Sequence, residues 1–137
     1  MAVVEEVLRS EKDGAISFGN HKLEKKAKVE DFQHEGDLLK VKTCKEITKL
    51  EKNGMFLYES VPGTSVVGFL ERADGVEFTV SGDEDAQITR GLTDGKAYEV
   101  FVNGESAGAI KTGFGGKLSL SVELEALGDV PVKIVQI

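Results

Sequence analysis

The sequence lacks the paired cysteines that cross-link many small secreted domains. Its 137 residues include one cysteine, Cys44, two prolines and no tryptophan. A single cysteine excludes an intramolecular disulfide, which is the usual support of a small extracellular domain. Glu5 and Glu6 stand where a signal peptide would carry basic residues and then an apolar run. We therefore expect a cytoplasmic protein.

Long apolar runs and excess positive charge are also missing. No window approaches the roughly 18 to 20 apolar residues that a membrane-spanning helix requires, which predicts a soluble protein. The formal net charge is −7, from 24 acidic and 17 basic residues. Such a surface repels phosphate backbones and anionic lipids. We expect no nucleic-acid or membrane partner, and we interpret the lysine-rich stretch 21–28 as a solvated turn or strand edge.

The sequence does contain a clear period of two. Apolar and polar residues alternate at 76–80, 98–102 and 118–124, which is typical of half-buried strands. Seven strands are predicted after residue 60, at 65–72, 76–81, 86–91, 97–103, 106–112, 117–124 and 130–137. Five less regular ones are predicted before it, at 2–9, 14–18, 27–33, 37–43 and 55–60. The stretch 40–52 fits a helical turn or a strand equally well.

Asp-Gly and Asn-Gly pairs separate these runs at 13–14, 53–54, 74–75, 94–95 and 103–104. Such pairs accept positive φ and close hairpins. Turn signals about every 8 to 12 residues predict an all-β sandwich or barrel. We expect an all-β fold with an immunoglobulin-like sandwich in the C-terminal half, residues 61–137. Residues 1–60 are an additional N-terminal β segment, expected to share the core or to form an oligomer contact.

Candidate catalytic residues are few. The only histidines are His21 and His34, and the only thiol is Cys44. A Cys–His pair would have to form in the fold, and nothing local marks Cys44 as activated. We interpret Cys44 as a half-buried strand residue and the histidines as exposed or capping. No catalytic, cofactor-binding or metal-binding residue is assigned.

Two loops resemble ligand loops only superficially. Asp83-Glu84-Asp85 lacks the spacing of an EF-hand and is interpreted as a turn, with a surface calcium site at Asp83 and Asp85 as the alternative. The glycine-rich stretch 113–116 lacks the residues of a phosphate loop. We interpret it as a connection between strands, in which Phe114 folds over an apolar edge.

The aromatic residues are seven phenylalanines and two tyrosines. Most phenylalanines fall on predicted strands, and we assign them to the core. The run Met55-Phe56-Leu57-Tyr58 is apolar on both faces, which indicates a central strand or one covered by another layer or subunit. An uncovered outer face at this strand would mark an interface.

Residues 91–98, Gly-Leu-Thr-Asp-Gly-Lys-Ala-Tyr, resemble the leucine, glycine and tyrosine pattern of fibronectin type III and related immunoglobulin-like sandwiches. The resemblance implies a tyrosine corner, in which the hydroxyl of Tyr98 is tied to the preceding turn while Leu92 and Tyr98 pack inward. Similar turns occur in sandwich modules appended to glycan-processing enzymes.

The stretches EEVLRSEKDGAISFGNHKLEKKAKVEDF and KEITKLEKNGMFLYESVPGTSV are similar to short bacterial proteins that commonly carry the label endosialidase. That label implies a sialylated glycan and arginines that clamp its carboxylate, for which the chain offers only Arg9, Arg72 and Arg90. We expect a non-catalytic interaction or structural protein that self-associates or binds another protein. The alternative is a glycan-binding or glycan-cleaving protein, and a third possibility is a calcium-dependent adhesion-like module.

Overall fold

Thirteen strands and one short helix form the part of the chain that the structure, a computed structural model, describes: residues 3–113 and 115–137. The strands are β1 Leu8–Ser10, β2 Ile16–Phe18, β3 Ala27–His34, β4 Asp37–Thr43, β5 Thr48–Lys52, β6 Met55–Val61, β7 Ser65–Arg72, β8 Gly75–Ser81, β9 Ala86–Gly91, β10 Ala97–Val102, β11 Glu105–Lys111, β12 Lys117–Val122 and β13 Asp129–Gln136. The helix is α1 Leu124–Leu127. None of the described helices has the length and apolarity to cross a membrane.

The strands form two antiparallel sheets. Sheet A has the order β1-β2-β7-β8-β13-β10-β11, and sheet B has the order β12-β9-β6-β5-β4-β3. Alternate apolar side chains of both sheets meet in one buried cluster, since side chains on a strand point to opposite faces in turn. The prediction of an all-β sandwich is therefore confirmed.

Strands from both parts of the chain build each sheet. Strand β2 pairs with β7 in sheet A, and β6 pairs with β9 in sheet B. The seven strands after residue 61 divide five to two between the sheets, whereas a constant-type immunoglobulin domain divides its seven strands four to three. The first 61 residues therefore supply β1 and β2 to sheet A and β3 to β6 to sheet B, and they share the core with the rest of the chain.

Strand β6 is an interior strand of sheet B, between β5 and β9. A register shift in its pairing with β5 turns two successive residues, Leu57 and Tyr58, toward the core. The ring of Tyr58 meets Phe18 edge to face at 5.2 Å between centroids and Phe78 at 5.8 Å. The apolar run 55–58 is thus explained by a bulge in a central strand, and Tyr58 is buried within one chain.

The strand boundaries agree well with the alternation after residue 60, and less well near the N-terminus. The prediction of a strand at 2–9 was wrong over most of its length, because Val7 has a φ of 72° and its N–H bonds to Val4 O in a turn. The ambiguous stretch 40–52 contains the end of β4, all of β5 and no helix. Helix α1 was not predicted. The expectation for Phe114 concerns a residue outside those described.

Two local features follow the turn and proline rules. Asn103 and Gly104 have φ of 54° and 82° and form the two-residue turn between β10 and β11. Pro131 lies among the first residues of β13, and its carbonyl accepts a bond from Asn103 N–H, beyond the end of β10. A missing N–H is tolerated best near the start of a strand, which is where Pro131 lies.

The tyrosine corner is also present. Tyr98 is buried, and its hydroxyl accepts a hydrogen bond from Thr93 N–H at 3.2 Å. Leu92 packs against the core from a partly buried position, and Gly95 has a φ of 62° in the turn between them. The predicted tie from Tyr98 to the preceding turn is confirmed.

Candidate functional site

An open groove of about 640 Å³ lies on the outer face of sheet A. We call it the outer-face groove. Its lining comes from four adjacent strands and one turn: Val67, Gly68, Glu77, Phe78, Thr79, Phe101, Gly104, Pro131, Val132 and Lys133. Its volume falls within the range of about 300 to 1,000 Å³ that is usual for ligand sites.

Sheet register explains how these residues meet. Thr79 of β8 pairs with Val67 on one side and Pro131 on the other, so the three form one row across the outer face. Lys133 pairs with Glu77 and with Phe101, which places a second row beside the first. The groove therefore follows from period-two alternation on four strands that are neighbours only in the folded sheet.

The groove has an apolar body and a polar margin. Val67 and Phe101 are half-buried, and Pro131 is exposed, so their apolar surface remains partly open to water. Glu77 accepts a hydrogen bond from Arg72 Nη2 at 2.6 Å, and Lys133 is exposed. A few charged and hydroxyl groups around apolar surface suit a ligand that has both an apolar face and hydrogen-bonding groups.

The alternation of apolar and polar residues in β10 indicates that Phe101 lies on the outer face. In the alternation of β10, Phe101 falls in the same phase as Glu99, opposite to the buried Tyr98 and Val100. The assignment of most phenylalanines to the core holds for Phe18, Phe69 and Phe78, whereas Phe56 and Phe101 are half-buried and lie outside the core cluster.

A Ser–His–Asp arrangement occurs near the start of β7. His21 Nδ1 and Ser65 Oγ lie 2.8 Å apart, and His21 Nε2 lies 3.9 Å from Asp83 Oδ1. Ser65 is 0% exposed, and its Oγ also accepts a bond from the His21 backbone N–H at 3.3 Å. A nucleophile must reach its substrate, so the enclosed Ser65 is suited to holding His21 in place.

His21 itself is buried, against the expectation that both histidines are exposed or capping. It is 4% exposed, and its Nε2 has no hydrogen-bond partner among the described residues. Burial lowers the pKa of His21, while the nearby carboxylate of Asp83 opposes that shift. A buried imidazole with an unpartnered nitrogen stays neutral more readily than one in water.

The second histidine and the cysteine lie apart from this group. His34 Nδ1 lies 2.8 Å from Ser10 Oγ, and its Nε2 lies 2.9 Å from Gly14 O, so it ties β3 to the hairpin of β1 and β2. Cys44 is buried and free in the turn between β4 and β5, where its N–H bonds to Ile47 O, so its interpretation as a half-buried strand residue was wrong. The contacts of neither histidine include Cys44.

A chain of buried hydroxyls lies next to His21 in the core. Thr64 Oγ1 is 2.8 Å from the Tyr58 hydroxyl and 2.7 Å from Ser60 Oγ. Burial raises the pKa of Tyr58 to about 12, so the hydroxyl keeps its proton at neutral pH. These bonds satisfy groups that would be costly to bury alone, and they fix β6 to the loop that precedes β7.

The two carboxylates of the calcium alternative have separate partners. Asp83 accepts bonds from Lys22 Nζ at 2.7 and 2.8 Å, and Asp85 accepts a bond from Glu125 N–H at 3.1 Å. Within residues 3–113 and 115–137, no group of three or more His, Cys, Asp or Glu side chains is placed to hold a metal ion.

The three arginines do not converge on one site. Arg9 pairs with Glu11 at 3.0 Å on the β1 side of the molecule. Arg72 and Arg90 both line a cavity of about 210 Å³, below the usual size for a ligand site, together with Glu71, Tyr98 and Gln136.

Arg90 is a buried cation that the sequence interpretation missed. It is 1% exposed, donates through Nη1 to Leu57 O and lies with its guanidinium carbon 4.8 Å from the centroid of Phe69. Burial lowers the pKa of Arg90 to about 10, still well above neutrality. The alternation of Ala86, Ile88 and Arg90 on the buried face was the available signal.

Fold and site together define an all-β sandwich with an open, mainly apolar groove on one outer face. No protein-family model, curated protein or solved structure matches the chain.

Proposed function

We propose that this protein is a non-catalytic interaction module that binds a partner protein in the outer-face groove of sheet A. The observation that carries the proposal is the groove itself, about 640 Å³ in volume and bordered by apolar side chains. Apolar concave surface that stays open to water favours a function in binding.

The chemistry of the groove favours an extended peptide segment. Phe101 offers a half-buried aromatic ring, and the anchors of protein interfaces are enriched in aromatic side chains. Lys133 and Glu77 offer one charge of each sign beside that ring, in register across β13 and β8. Such charges orient a segment and select against the wrong partner.

The enclosure of the Ser65–His21 pair supports a role without catalysis, because the hydroxyl has no exposed surface. A cytoplasmic location is part of the proposal. It is supported by the single cysteine, which is buried and free, as suits a reducing compartment.

A phage-displayed library of random peptides tests the interaction. We expect selected peptides to carry apolar side chains and to bind Phe101→Ser at least about tenfold more weakly than the unaltered protein, because an aromatic anchor is lost. Phe56→Ser is the matched control, since Phe56 is a half-buried aromatic residue on sheet B. Equal binding to Phe101→Ser, or failure to select any peptide, would overturn the proposal.

A glycan is the second candidate ligand, because the same groove combines one aromatic ring with a hydroxyl and two charged groups at Thr79, Glu77 and Lys133. An apolar sugar face would stack on Phe101 while the polar groups bind its hydroxyls. An array of neutral and sialylated glycans tests this candidate. Binding that disappears in Phe101→Ser and persists in Phe56→Ser would support it, and an array without bound glycan would end it.

A further inference from the structure

The four sheet edges differ in how they are blocked against further strand pairing. Strand β1 has only three residues, and β3 carries a register shift with Asp31 at a φ of 53°. Strand β11 also carries a register shift, and Gly108 within it has a φ of 100°. Short edges and bulges are common protections, because an exposed edge offers unpaired backbone groups to other chains.

Strand β12 has none of these protections. Its six residues pair with β9 in unbroken register, from Lys117 opposite Gly91 to Val122 opposite Ala86. It contains no glycine or proline, and its single charge is at its first residue. Among the strands of the described residues, β12 pairs with β9 alone, so its other side is an open edge of sheet B.

The sequence of this edge is complementary to itself. Residues 117–123 read Lys-Leu-Ser-Leu-Ser-Val-Glu. In an antiparallel pair of two copies centred on Leu120, Lys117 lies opposite Glu123, Leu118 opposite Val122, and Ser119 opposite Ser121. Directly opposite residues project from the same face. This register therefore keeps buried side chains with buried ones and exposed with exposed.

We propose that two copies of this chain associate through β12, antiparallel about Leu120, and join their sheets B into one sheet of twelve strands. The contact is isologous, as in most symmetric dimers, so the pair of Lys117 with Glu123 of the other copy occurs twice. Leu120, at 9% the most exposed of the three inward residues of β12, becomes covered by its own copy. The contact joins only two six-residue strands, and an interface well below about 1,200 Å² is weak and concentration-dependent.

The edge lies in sheet B, whereas the outer-face groove lies on sheet A. Self-association through β12 therefore leaves the groove open. The failure of either proposal leaves the other standing.

Light scattering coupled to size exclusion, over concentrations up to about 1 mM, tests the association. The mass is expected to rise from one chain toward two. Lys117→Glu and Glu123→Lys are each expected to raise the dissociation constant about tenfold, because two symmetric pairs become repulsive. The double variant Lys117→Glu/Glu123→Lys is expected to restore the original dissociation constant, because opposite charges face each other again. Two changes that each disturbed the fold of one chain would not compensate in this way.

Lys111→Glu is the matched control, since it makes the same change in net charge at the open edge of sheet A, on β11. It is expected to leave the dissociation constant unchanged. A single-chain mass at every concentration would overturn the proposal. So would dimers that are indifferent to both single reversals, or dimers that Lys111→Glu weakens equally.

Discussion

The Tyr98 hydroxyl accepts a hydrogen bond from the Thr93 backbone N–H, 3.2 Å away, and thereby fixes the turn that connects β9 to β10. Removing this hydroxyl in Tyr98→Phe leaves the ring in the core and the Thr93 N–H without its acceptor. We expect a loss of about 1 kcal/mol in the free energy of unfolding, measured by urea denaturation. A loss near zero would mean that water replaces the hydroxyl and that the tie contributes little.

Arg90 combines a buried charge with a hydrogen bond to Leu57 O on the bulged strand β6. Arg90→Met fills a similar volume without a charge, so we expect it to cost only about 1 kcal/mol, from the carbonyl that loses its donor. Arg90→Ala also leaves a cavity beneath Phe69 and is expected to cost about 3 kcal/mol or more. Chemical denaturation of the two variants compares them. Equal costs would show that the charge itself, and not the volume, stabilises the fold.

His21 predicts a pH dependence of stability. Because burial lowers the pKa of His21 in the folded protein below the ordinary value of 6.5, the unfolded chain binds its proton first as the pH falls. The contribution of this residue is complete above about pH 6.5 and is lost as the pH falls toward the folded-state pKa. His21→Asn removes the titrating group and is expected to flatten the fall in stability from about pH 7 to pH 5.

Urea denaturation at a series of pH values measures this effect, and His34→Asn is the control for the loss of a histidine. An unchanged pH dependence in His21→Asn would contradict the assignment of that dependence to His21.

Gly63 lies where no side chain fits. A Cβ there would stand 1.8 Å from Cys44 O, which is backbone and cannot move aside cheaply. Gly63→Ala is expected to cost more than about 2 kcal/mol, since the loop before β7 must shift. Gly113→Ala is the matched control, because a Cβ at Gly113 meets nothing within 4 Å. Thermal melting compares the two variants, and similar melting temperatures would show that the loop accepts a Cβ at Gly63 without a shift.

Local patterns predicted local structure well. Strand β7 lies at Ser65–Arg72 as predicted, because alternation bounded by turn residues marks a strand without reference to its partners. The pairing of β6 with β9 was not predictable in the same way, since it joins residues about 30 positions apart through packing that no local window contains. For the same reason the groove was missed. Its rows, such as Val67, Thr79 and Pro131, exist only once the strand order is known.

Mapping of backbone amide shifts on addition of an apolar anionic dye, anilinonaphthalene sulfonate, tests whether the outer-face groove accepts ligands. The rings suit Phe101 and the sulfonate suits Lys133, both of which line the groove. We predict shifts clustered at Val67, Thr79, Phe101 and Lys133, which are greatly reduced in Phe101→Ser and retained in Phe56→Ser. Shifts that cluster on sheet B, or that persist in Phe101→Ser, would contradict binding in the outer-face groove.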